Sequence, residues 1–293
     1  MRVLITGGAG QLGTELAGVC LAAHDEVLLA SREVLDITNR DQSLQVVEAY
    51  RPDVVVHCAA WTDVDGCETD PAKAYQVNAL GCRIIAEAVA LQRGRTRLVA
   101  LSTDYVFNGV GGGPGGGVPY TEWDAPAPLS MYGRSKLAGE REVAEILGPD
   151  ATTVRASWVC GAYGNNFVKT MHRLATADPV KTVTVVDDQV GCPTFTIDLA
   201  RQLRMLAVGR YPGVFHVSNE GSLSWCDFAR AIFAVAGHNP DRVIAIPSSE
   251  LMPARPAPRP SFSVLDNAAL RGLGLAAMPP WQSALAETIR LIS

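Results

Sequence analysis

The sequence predicts an α/β protein with a doubly wound parallel sheet, on three observations. Short apolar runs alternate with longer helical stretches through the first half of the 293 residues. The apolar runs are rich in Val, Leu and Ile, as strands buried on both faces require. A glycine-rich turn, "TGGAGQLG", directly follows the first run. Strand and helix repeated five times favour a sheet that is covered by helices on both sides.

The elements of the first half follow from this alternation. Five apolar runs are predicted as parallel strands: residues 2–6, 26–30, 53–59, 97–103 and 152–159. Three segments between them are long enough to be right-handed crossover helices: residues 11–23, 40–50 and 75–93.

The second half is less regular and predicts a smaller, interleaved α/β lobe. Helical patterns cover residues 165–177 and 224–237, and a strand is expected at 213–218. The Pro-rich segment 253–266 is expected to be an ordered surface loop or a linker.

Composition and charge argue against several classes of function. Charged residues make up 19% of the chain, the net charge is -5 and the basic residues are scattered, so nucleic-acid binding is not expected. No run approaches about 18 apolar residues, so no membrane span is expected. The seven cysteines form no CxxC and the histidines no HExxH, which favours reduced thiols in a cytoplasmic protein over disulfides or zinc.

The glycine-rich turn predicts a dinucleotide site. Gly7, Gly10 and Gly13 form a GxxGxxG pattern between the first strand and the first helix. Gly7 allows the tight turn, Gly10 lets backbone N–H groups approach a pyrophosphate, and Gly13 lets the helix pack closely on the strand. This position in the first βα turn is the context that a Rossmann-type nucleotide fold requires.

The tip of the second strand indicates which dinucleotide binds. It carries Ser31 and Arg32 where an acidic residue would hold a ribose 2′-hydroxyl, and an arginine suits a 2′-phosphate. NADPH is therefore favoured, with NADH as the alternative. Asp36 and Ile37 follow, and they are expected either to flank the adenine or, for Asp36, to cap a helix.

Tyr132 and Lys136, in "YGRSK", lie four residues apart and so share one face of a predicted helix. A nearby lysine cation and a positively charged nicotinamide ring would together favour the tyrosinate and lower the pKa of Tyr132 from its ordinary value near 10. The phenol can then donate a proton to an oxygen that gains charge on a carbonyl substrate. Thr103, at the end of the fourth strand, can hydrogen-bond the same oxygen, because ligands bind at the carboxyl ends of parallel strands.

These predictions divide the chain into two parts. Residues 1–160 are interpreted as a dinucleotide-binding domain, to which part of 195–220 returns. Residues 161–293 are interpreted mainly as a substrate-binding lobe. The glycine-rich insertion 109–117 is expected to be a mobile loop near Tyr132, either a lid or a neutral surface loop.

Several blocks, in order and in spacing, resemble a known enzyme family. They are "GGAGQLG", "STDYVF", "YGRSKLAGE", "RASWVCG", "GNNFVKTM", "VVDDQVGCPT" and "RPSFSVLD". The chain from residue 1 to about 266 resembles the dTDP-4-dehydrorhamnose reductases, within the extended short-chain dehydrogenase/reductase superfamily. The resemblance implies reduction of the C4 keto group of dTDP-4-dehydro-L-rhamnose by NADPH or NADH.

The motifs and the resemblance together give the candidate site residues. The catalytic set is Thr103, Tyr132 and Lys136. The cofactor set is Gly7, Gly10, Gln11, Leu12, Gly13, Arg32, Asp36, Ile37, Ala60, Trp61, Thr62, Leu101, Tyr132 and Lys136. The substrate set is Thr103, Asp104, Trp158, Asn166 and Arg259. Asn165 and Asn166 either contact the nucleotide or cap the following helix, and Trp158 is either a substrate contact or a core aromatic.

The resemblance also bears on metal and assembly. Some members are Mg²⁺-linked homodimers, and Glu15, Asp187 and Asp188 match the acidic positions at their subunit contact. It therefore implies a homodimer with a Mg²⁺ site, while a solvated acidic pair is the alternative for Asp187 and Asp188.

Other functions remain open. An epimerase or a dehydratase of the same superfamily would need an acidic residue at the second strand tip or an Asp-Glu pair after the threonine, and neither is present. A non-catalytic subunit, like the regulatory subunit of methionine adenosyltransferase, would share the fold without the reaction.

Overall fold

The computed structural model describes residues 1–113 and 115–292. Its first half alternates strands and helices as predicted. In chain order the elements are β1 (Arg2–Thr6), α1 (Gln11–Ala22), β2 (Glu26–Ala30), α2 (Arg40–Tyr50), β3 (Val54–His57), α3 (Val64–Thr69), α4 (Pro71–Tyr75), α5 (Gly81–Ala90), β4 (Arg97–Thr103), α6 (Met131–Leu147) and β5 (Ala151–Ala156).

The second half has shorter strands between its helices. They are β6 (Val159–Cys160), α7 (Phe167–Ala177), β7 (Val183–Val186), β8 (Val190–Gly191), β9 (Thr194–Phe195), α8 (Thr196–Gly209), β10 (Gly213–His216), β11 (Leu223–Ser224), α9 (Trp225–Val235), β12 (Val243–Ile246), α10 (Ala268–Gly272) and α11 (Trp281–Ile292).

Six parallel strands form the main sheet in the order β10-β5-β4-β3-β1-β2. The chain winds outward from β1 in both directions, so the predicted doubly wound, Rossmann-type α/β fold is confirmed. The order also brings the carboxyl ends of β1, β3 and β4 side by side, which is where the predicted site residues follow their strands.

Apolar residues cover both faces of this sheet. One buried cluster joins α1 and α8 to the sheet and includes Leu16 and Leu203. The other joins α2, α5 and α6 to the opposite face and includes Val47 and Ile85. A third cluster, built around Phe195 and Phe228, forms the core of the second half. The strand β10 and the helix α8 belong to the sheet layer, while the proposed boundary near residue 160 stays a prediction.

Two predicted elements differ from the structure. The helix predicted over 75–93 begins earlier, at Pro71, and is interrupted by a π-helical turn at Gln76–Leu80. The strand predicted over 152–159 ends at Ala156, because Trp158 has a φ of +46°, which an extended strand does not allow.

Hydrogen bonds hold both ends of the glycine-rich insertion 109–117 against neighbouring residues. The Tyr120 hydroxyl accepts hydrogen bonds from Gly109 N (3.1 Å) and Gly111 N (2.8 Å), and Gly112 pairs with Val118 in an antiparallel bridge. Residue 114 of the insertion lies outside the described residues, and lid behaviour stays a prediction. Among the described helices, none is long and apolar enough to cross a membrane.

Candidate active site

The turn after β1 forms a cradle that suits a pyrophosphate. Gly7 has a φ of +69°, and a Cβ there would lie 2.8 Å from Ala59 N. A Cβ at Gly13 would lie 2.5 Å from Gly7 O, so helix α1 packs tightly behind the turn. Gly10 is the first residue before α1, and no side chain caps the helix there. The free N–H groups of this helix end can therefore receive an anion, and the turn fits the predicted dinucleotide.

The side chains of the two residues after Gly10 make contacts within the protein, and their expected place over the cofactor pyrophosphate stays a prediction. Leu12 is buried in the core beneath the turn. Gln11 donates from Nε2 to Val159 O (3.1 Å) and accepts from Asn166 Nδ2 (3.3 Å). Asn166 also caps α7, accepting from Lys169 N at 3.1 Å. Gln11 therefore connects the nucleotide turn to the second half, and Asn166 acts at least as a helix cap.

The predicted 2′-phosphate residue lies in the open. The Arg32 side chain is 84% exposed, and its Nε lies 3.5 Å from Asp36 Oδ2. Hydrogen bonds from Thr38 hold the pKa of Asp36 below its ordinary value, with a smaller contribution from Arg32. Arg32 is thus oriented at the tip of β2 but remains available to an anion. Ile37 is buried against Gly81, and its expected place beside an adenine stays a prediction.

The loop after β3 supplies the other wall of the cleft. Ala60 and Trp61 are half-buried and Thr62 is exposed. Asn78, inside the π-helical turn, accepts from Trp61 N (2.8 Å) and donates to Trp61 O (3.0 Å). Its Nδ2 also lies 3.0 Å from Ser135 Oγ on α6. Asn78 therefore fixes the cofactor loop relative to the helix that carries Tyr132.

Ser130 caps α6 and starts the helix two residues before Tyr132. The Tyr132 phenol is buried, and the neighbouring Thr103 hydroxyl lowers its pKa. Lys136 is buried one turn further along, and its Nζ donates to Leu101 O at 2.7 Å. The structure thus brings the predicted catalytic residues together at the carboxyl end of β4.

The expected effect of Lys136 on the phenol was wrong for the protein without its ligands. Burial raises the pKa of Tyr132 well above its ordinary value, and the neighbouring Thr103 hydroxyl offsets only part of this rise. The ammonium of Lys136 is directed to a strand carbonyl instead. Tyr132 is therefore held as a neutral phenol, which is the form that donates a proton.

Asp104 gives the site a buried carboxyl group. Its Oδ1 accepts from Thr103 Oγ1 (3.1 Å), whereas its Oδ2 is buried with no hydrogen-bond partner. Burial raises the pKa of Asp104 to about 6, although the Ser263 and Thr103 hydroxyls oppose the rise. A buried acceptor without a partner is costly, and it suits a hydroxyl donor of a bound ligand.

Arg259 does not present a free charge to a substrate diphosphate. Its guanidinium makes a bidentate ion pair with Asp65, at 2.6 and 2.7 Å, and donates to Ala257 O. Its side chain is only 9% exposed. The predicted diphosphate contact would therefore have to share this guanidinium with Asp65, and it stays a prediction.

Trp158 lies just beyond β5, beside the end of β4. Thr103 is in register with Ala156, two residues before Trp158. The indole is half-buried and stacks on Trp225 with ring centroids 3.6 Å apart. This packing supports the core-aromatic alternative for Trp158, and its contact with a substrate stays a prediction.

Comparison with known proteins decides the family. Residues 1–293 match the family model described as the RmlD substrate binding domain. A dTDP-4-keto-6-deoxy-D-glucose reductase of Streptomyces niveus is 40% identical, over 100% of this chain and 98% of that protein. A dTDP-4-dehydrorhamnose reductase of Streptomyces griseus is 42% identical, over 98% of this chain and 92% of that protein. The chain belongs to the dTDP-4-dehydrorhamnose reductase family.

A solved structure of the family has the same fold. The dTDP-4-dehydrorhamnose reductase of Bacillus anthracis, crystallised in complex with NADP, superposes with a TM-score of 0.91 at 40% identity. The match covers 99% of this chain and 98% of that one. The resemblance inferred from the sequence motifs is therefore confirmed over the whole chain.

The residues that match the family's Mg²⁺ positions lie apart from one another here. Glu15 accepts from Thr196 Oγ1 at 2.9 Å, Asp187 from Ser224 Oγ and Asp188 from Ser248. Within residues 1–113 and 115–292, no three His, Cys, Asp or Glu side chains are grouped as a metal would need. The Mg²⁺ site is thus not supported, and the homodimer stays a prediction.

Sequence reasoning missed several residues that shape the site. Asn78 and Trp225 belong to no short motif, because their contacts join segments that are distant in the chain. The sequence gives His57 no role, because it belongs to no HExxH pattern. It hydrogen-bonds Thr6 at 2.7 Å, and burial followed by the charge of Lys136 lowers its pKa to about 3. His57 therefore stays neutral beside the Lys136 cation.

A buried ion pair also supports helix α6, which carries the predicted catalytic residues Tyr132 and Lys136. Arg155 on β5 binds both carboxylate oxygens of Glu140, at 3.0 and 2.7 Å, and Ser102 donates to the same carboxylate. Glu140 lies one helical turn after Lys136, so the helix is anchored where the catalytic residues end.

Proposed function

We propose that the protein reduces the C4 keto group of dTDP-4-dehydro-L-rhamnose to a hydroxyl, with NADPH as the preferred reductant. The observation that carries the proposal is the buried Thr103–Tyr132 pair, with Lys136 on the next helical turn, at the end of β4. This group lies on the same sheet edge as the glycine cradle, as α/β ligand sites do.

The cofactor fits the cradle and supplies the hydride that reduces the carbonyl carbon. The N–H groups at the start of α1 would hold its pyrophosphate, and Arg32 would bind the 2′-phosphate. Lys136 would hold the ribose end of the cofactor through its buried ammonium. Gly7 and Gly13 let the backbone of the turn come close enough to contact the pyrophosphate.

Side chains of the protein supply the proton to the C4 oxygen and stabilise the charge that develops on it. Tyr132 donates its phenolic proton to the C4 oxygen, since burial keeps the phenol protonated. The Thr103 hydroxyl, which donates to Asp104 Oδ1 here, would turn its hydrogen to the same oxygen and stabilise the charge that develops on it. The unpartnered Asp104 Oδ2 would accept from a sugar hydroxyl and orient the ring. Trp158 would pack against the sugar face.

A second substrate is favoured by one comparison. The relative from Streptomyces niveus, 40% identical over the whole chain, is a reductase of dTDP-4-keto-6-deoxy-D-glucose. Both sugars have a keto group at C4 and differ in configuration elsewhere on the ring. The same proton donor serves either substrate, so the contacts around the sugar decide between them.

The experiment is turnover with purified substrates. Each dTDP-keto sugar is supplied with NADPH or NADH, the oxidation of the cofactor is followed by absorbance, and the product configuration at C4 is read by NMR. We expect turnover of the rhamnose precursor, faster with NADPH. Turnover of neither sugar, with the cofactor bound, would reject the proposal and favour a non-catalytic subunit or another keto sugar.

We propose the cytoplasm as its compartment, because all seven cysteines are free thiols.

A further inference from the structure

The Trp158 ring is held by two neighbours from a different part of the chain. Trp225, the first residue of α9, stacks on it with an interplanar angle of 11° and a centroid distance of 3.6 Å. Gly191 touches it on the β8 strand, where a Cβ would lie only 2.5 Å from Trp158 Cε2. No side chain larger than hydrogen fits at residue 191 with the indole in this place.

The backbone on both sides of the ring is fixed. Trp158 has a φ of +46°, a left-handed conformation that is strained for a non-glycine residue and is retained only where the surroundings enforce it. Strand β11, which directly precedes Trp225, pairs with β8 and sets Leu223 opposite Gly191. The two neighbours of the Trp158 ring are therefore coupled to each other by backbone pairing.

The Trp225 ring is itself supported. Phe167, the first residue of α7, packs on it with centroids 4.5 Å apart, and Phe228 lies one turn further along α9. Ser224 caps α9 by accepting from Asp227 N at 3.0 Å. The stack on Trp158 is thus the end of a packed aromatic cluster in the second half of the chain.

We propose that Trp225 is a positioning residue for the sugar: it acts through Trp158, whose indole it fixes at the end of β5 for contact with the substrate. The inference rests on the proposed function, since it requires that the sugar pack on Trp158. Trp225 does not touch the reacting atoms in this scheme. Its role predicts an effect on substrate affinity that disappears when Trp158 is absent.

A double-mutant cycle tests this dependence. We expect Trp225→Leu to raise the KM for the keto sugar about 3- to 10-fold, the effect of losing one aromatic pair, with little change in kcat. In a Trp158→Ala background the same change should raise KM less than about twofold, because the ring that Trp225 positions is gone. Trp225→Phe should restore most of the affinity.

A spectroscopic signal checks the stack without activity. Two indoles stacked at this distance are expected to give an exciton couplet in circular dichroism, which Trp225→Leu and Trp158→Ala should each abolish. Trp123→Leu is the matched control, because Trp123 is 74% exposed and should affect neither the couplet nor KM. The Kd for NADPH should be unchanged in all variants.

The outcomes separate the inference from the proposed function. Absence of turnover in the wild type rejects the function, whatever the couplet shows. Turnover with an unchanged KM in a folded Trp225→Leu protein that has lost the couplet overturns the inference. An equal KM increase in both backgrounds overturns it as well. If Trp225→Leu does not fold, Trp225→Met replaces it in the same cycle: a KM increase that is lost in the Trp158→Ala background supports the inference, and an unchanged KM or an equal increase in both backgrounds overturns it.

Discussion

At the scale of single residues, Arg32 is the predicted contact to the 2′-phosphate that distinguishes NADPH from NADH. Its guanidinium is 84% exposed and is held near the tip of β2 by Asp36, 3.5 Å away. We expect Arg32→Ala to raise the Kd for NADPH about 10-fold, because a charge-assisted contact to the 2′-phosphate is lost. The Kd for NADH should change by less than about twofold. Titration of each cofactor by fluorescence measures both constants.

A matched control for this variant is Arg230→Ala. Arg230 is also an exposed arginine paired with a nearby carboxylate, Asp227 at 3.2 Å, but it lies on α9. It should leave both constants unchanged. Equal weakening of NADPH and NADH in Arg32→Ala would show that Arg32 does not read the 2′-phosphate.

The raised pKa of Asp104 predicts that this carboxyl group makes the folded protein less stable as the pH rises, the reverse of what an ion-paired carboxylate does. Burial raises its pKa from 3.8 to about 6, so between these values the folded protein holds a proton that the unfolded chain releases. The stability from this group is therefore complete below about pH 4 and is lost as the pH rises through 6. At pH 7 the loss is at most about 3 kcal/mol.

Asp104→Asn should remove this loss. We expect its unfolding free energy, relative to wild type, to increase by about 2 kcal/mol between pH 4 and pH 7. Urea unfolding at a series of pH values measures the difference. Asp41→Asn, at an exposed carboxylate in the first turn of α2, is the control and should give no such trend. A difference that stays constant with pH for Asp104→Asn would contradict the assignment.

At the scale of elements, the Glu140–Arg155 pair joins the catalytic helix α6 to β5. The two side chains are 8% and 5% exposed, and Arg155 Nη1 is buried without a hydrogen-bond partner. We expect Glu140→Gln to cost about 3 kcal/mol of unfolding free energy, because it leaves the guanidinium buried without its counter-charge. Adding Arg155→Met should recover most of that loss. Urea unfolding of the single and double variants measures the coupling.

An exposed ion pair between the neighbouring helices α5 and α6 provides the comparison. Glu142 on α6 and Arg83 on α5 are 3.0 Å apart with exposed fractions of 30% and 48%, so Glu142→Gln should cost much less unfolding free energy than Glu140→Gln. Equal costs at the two sites would mean that burial does not determine the strength of the Glu140–Arg155 pair.

Elements with local causes could be predicted from the sequence. The strands carry their burial in continuous Val and Leu runs, and the turn at Gly7 needs a positive φ that the residue type reveals. The end of β5 could not be read in this way. Val159 looks like a strand continuation, and only contacts of Trp158 with Gly191 and Trp225 show why the strand stops at Ala156.

The site shows the same limit. Tyr132 and Lys136 are four residues apart on one helix, so the sequence predicted that they share a face. The sequence could not predict that Arg259 pairs with Asp65, because the two lie 194 residues apart in the chain. The pKa of Tyr132 also depends on burial in the folded protein, which no local pattern contains.

At the scale of the whole molecule, the cofactor turn and the substrate side are linked directly. Gln11, next to the glycine cradle, bonds Val159 O and Asn166 of the second half, the latter across 155 residues of chain. Helix α8 returns to pack on α1, and β10 completes the sheet next to β5. Cofactor and keto sugar would therefore meet on one continuous frame, with Thr103 and Tyr132 between them.

The most direct test of this scheme compares wild type with Tyr132→Phe in the reduction of dTDP-4-dehydro-L-rhamnose by NADPH. Removing the phenolic proton donor should lower kcat at least about 100-fold, within the range of general acid catalysis, while the Kd for NADPH and the thermal unfolding midpoint stay near wild type. Full activity in a folded, NADPH-binding Tyr132→Phe protein would contradict the assignment of Tyr132 as the proton donor.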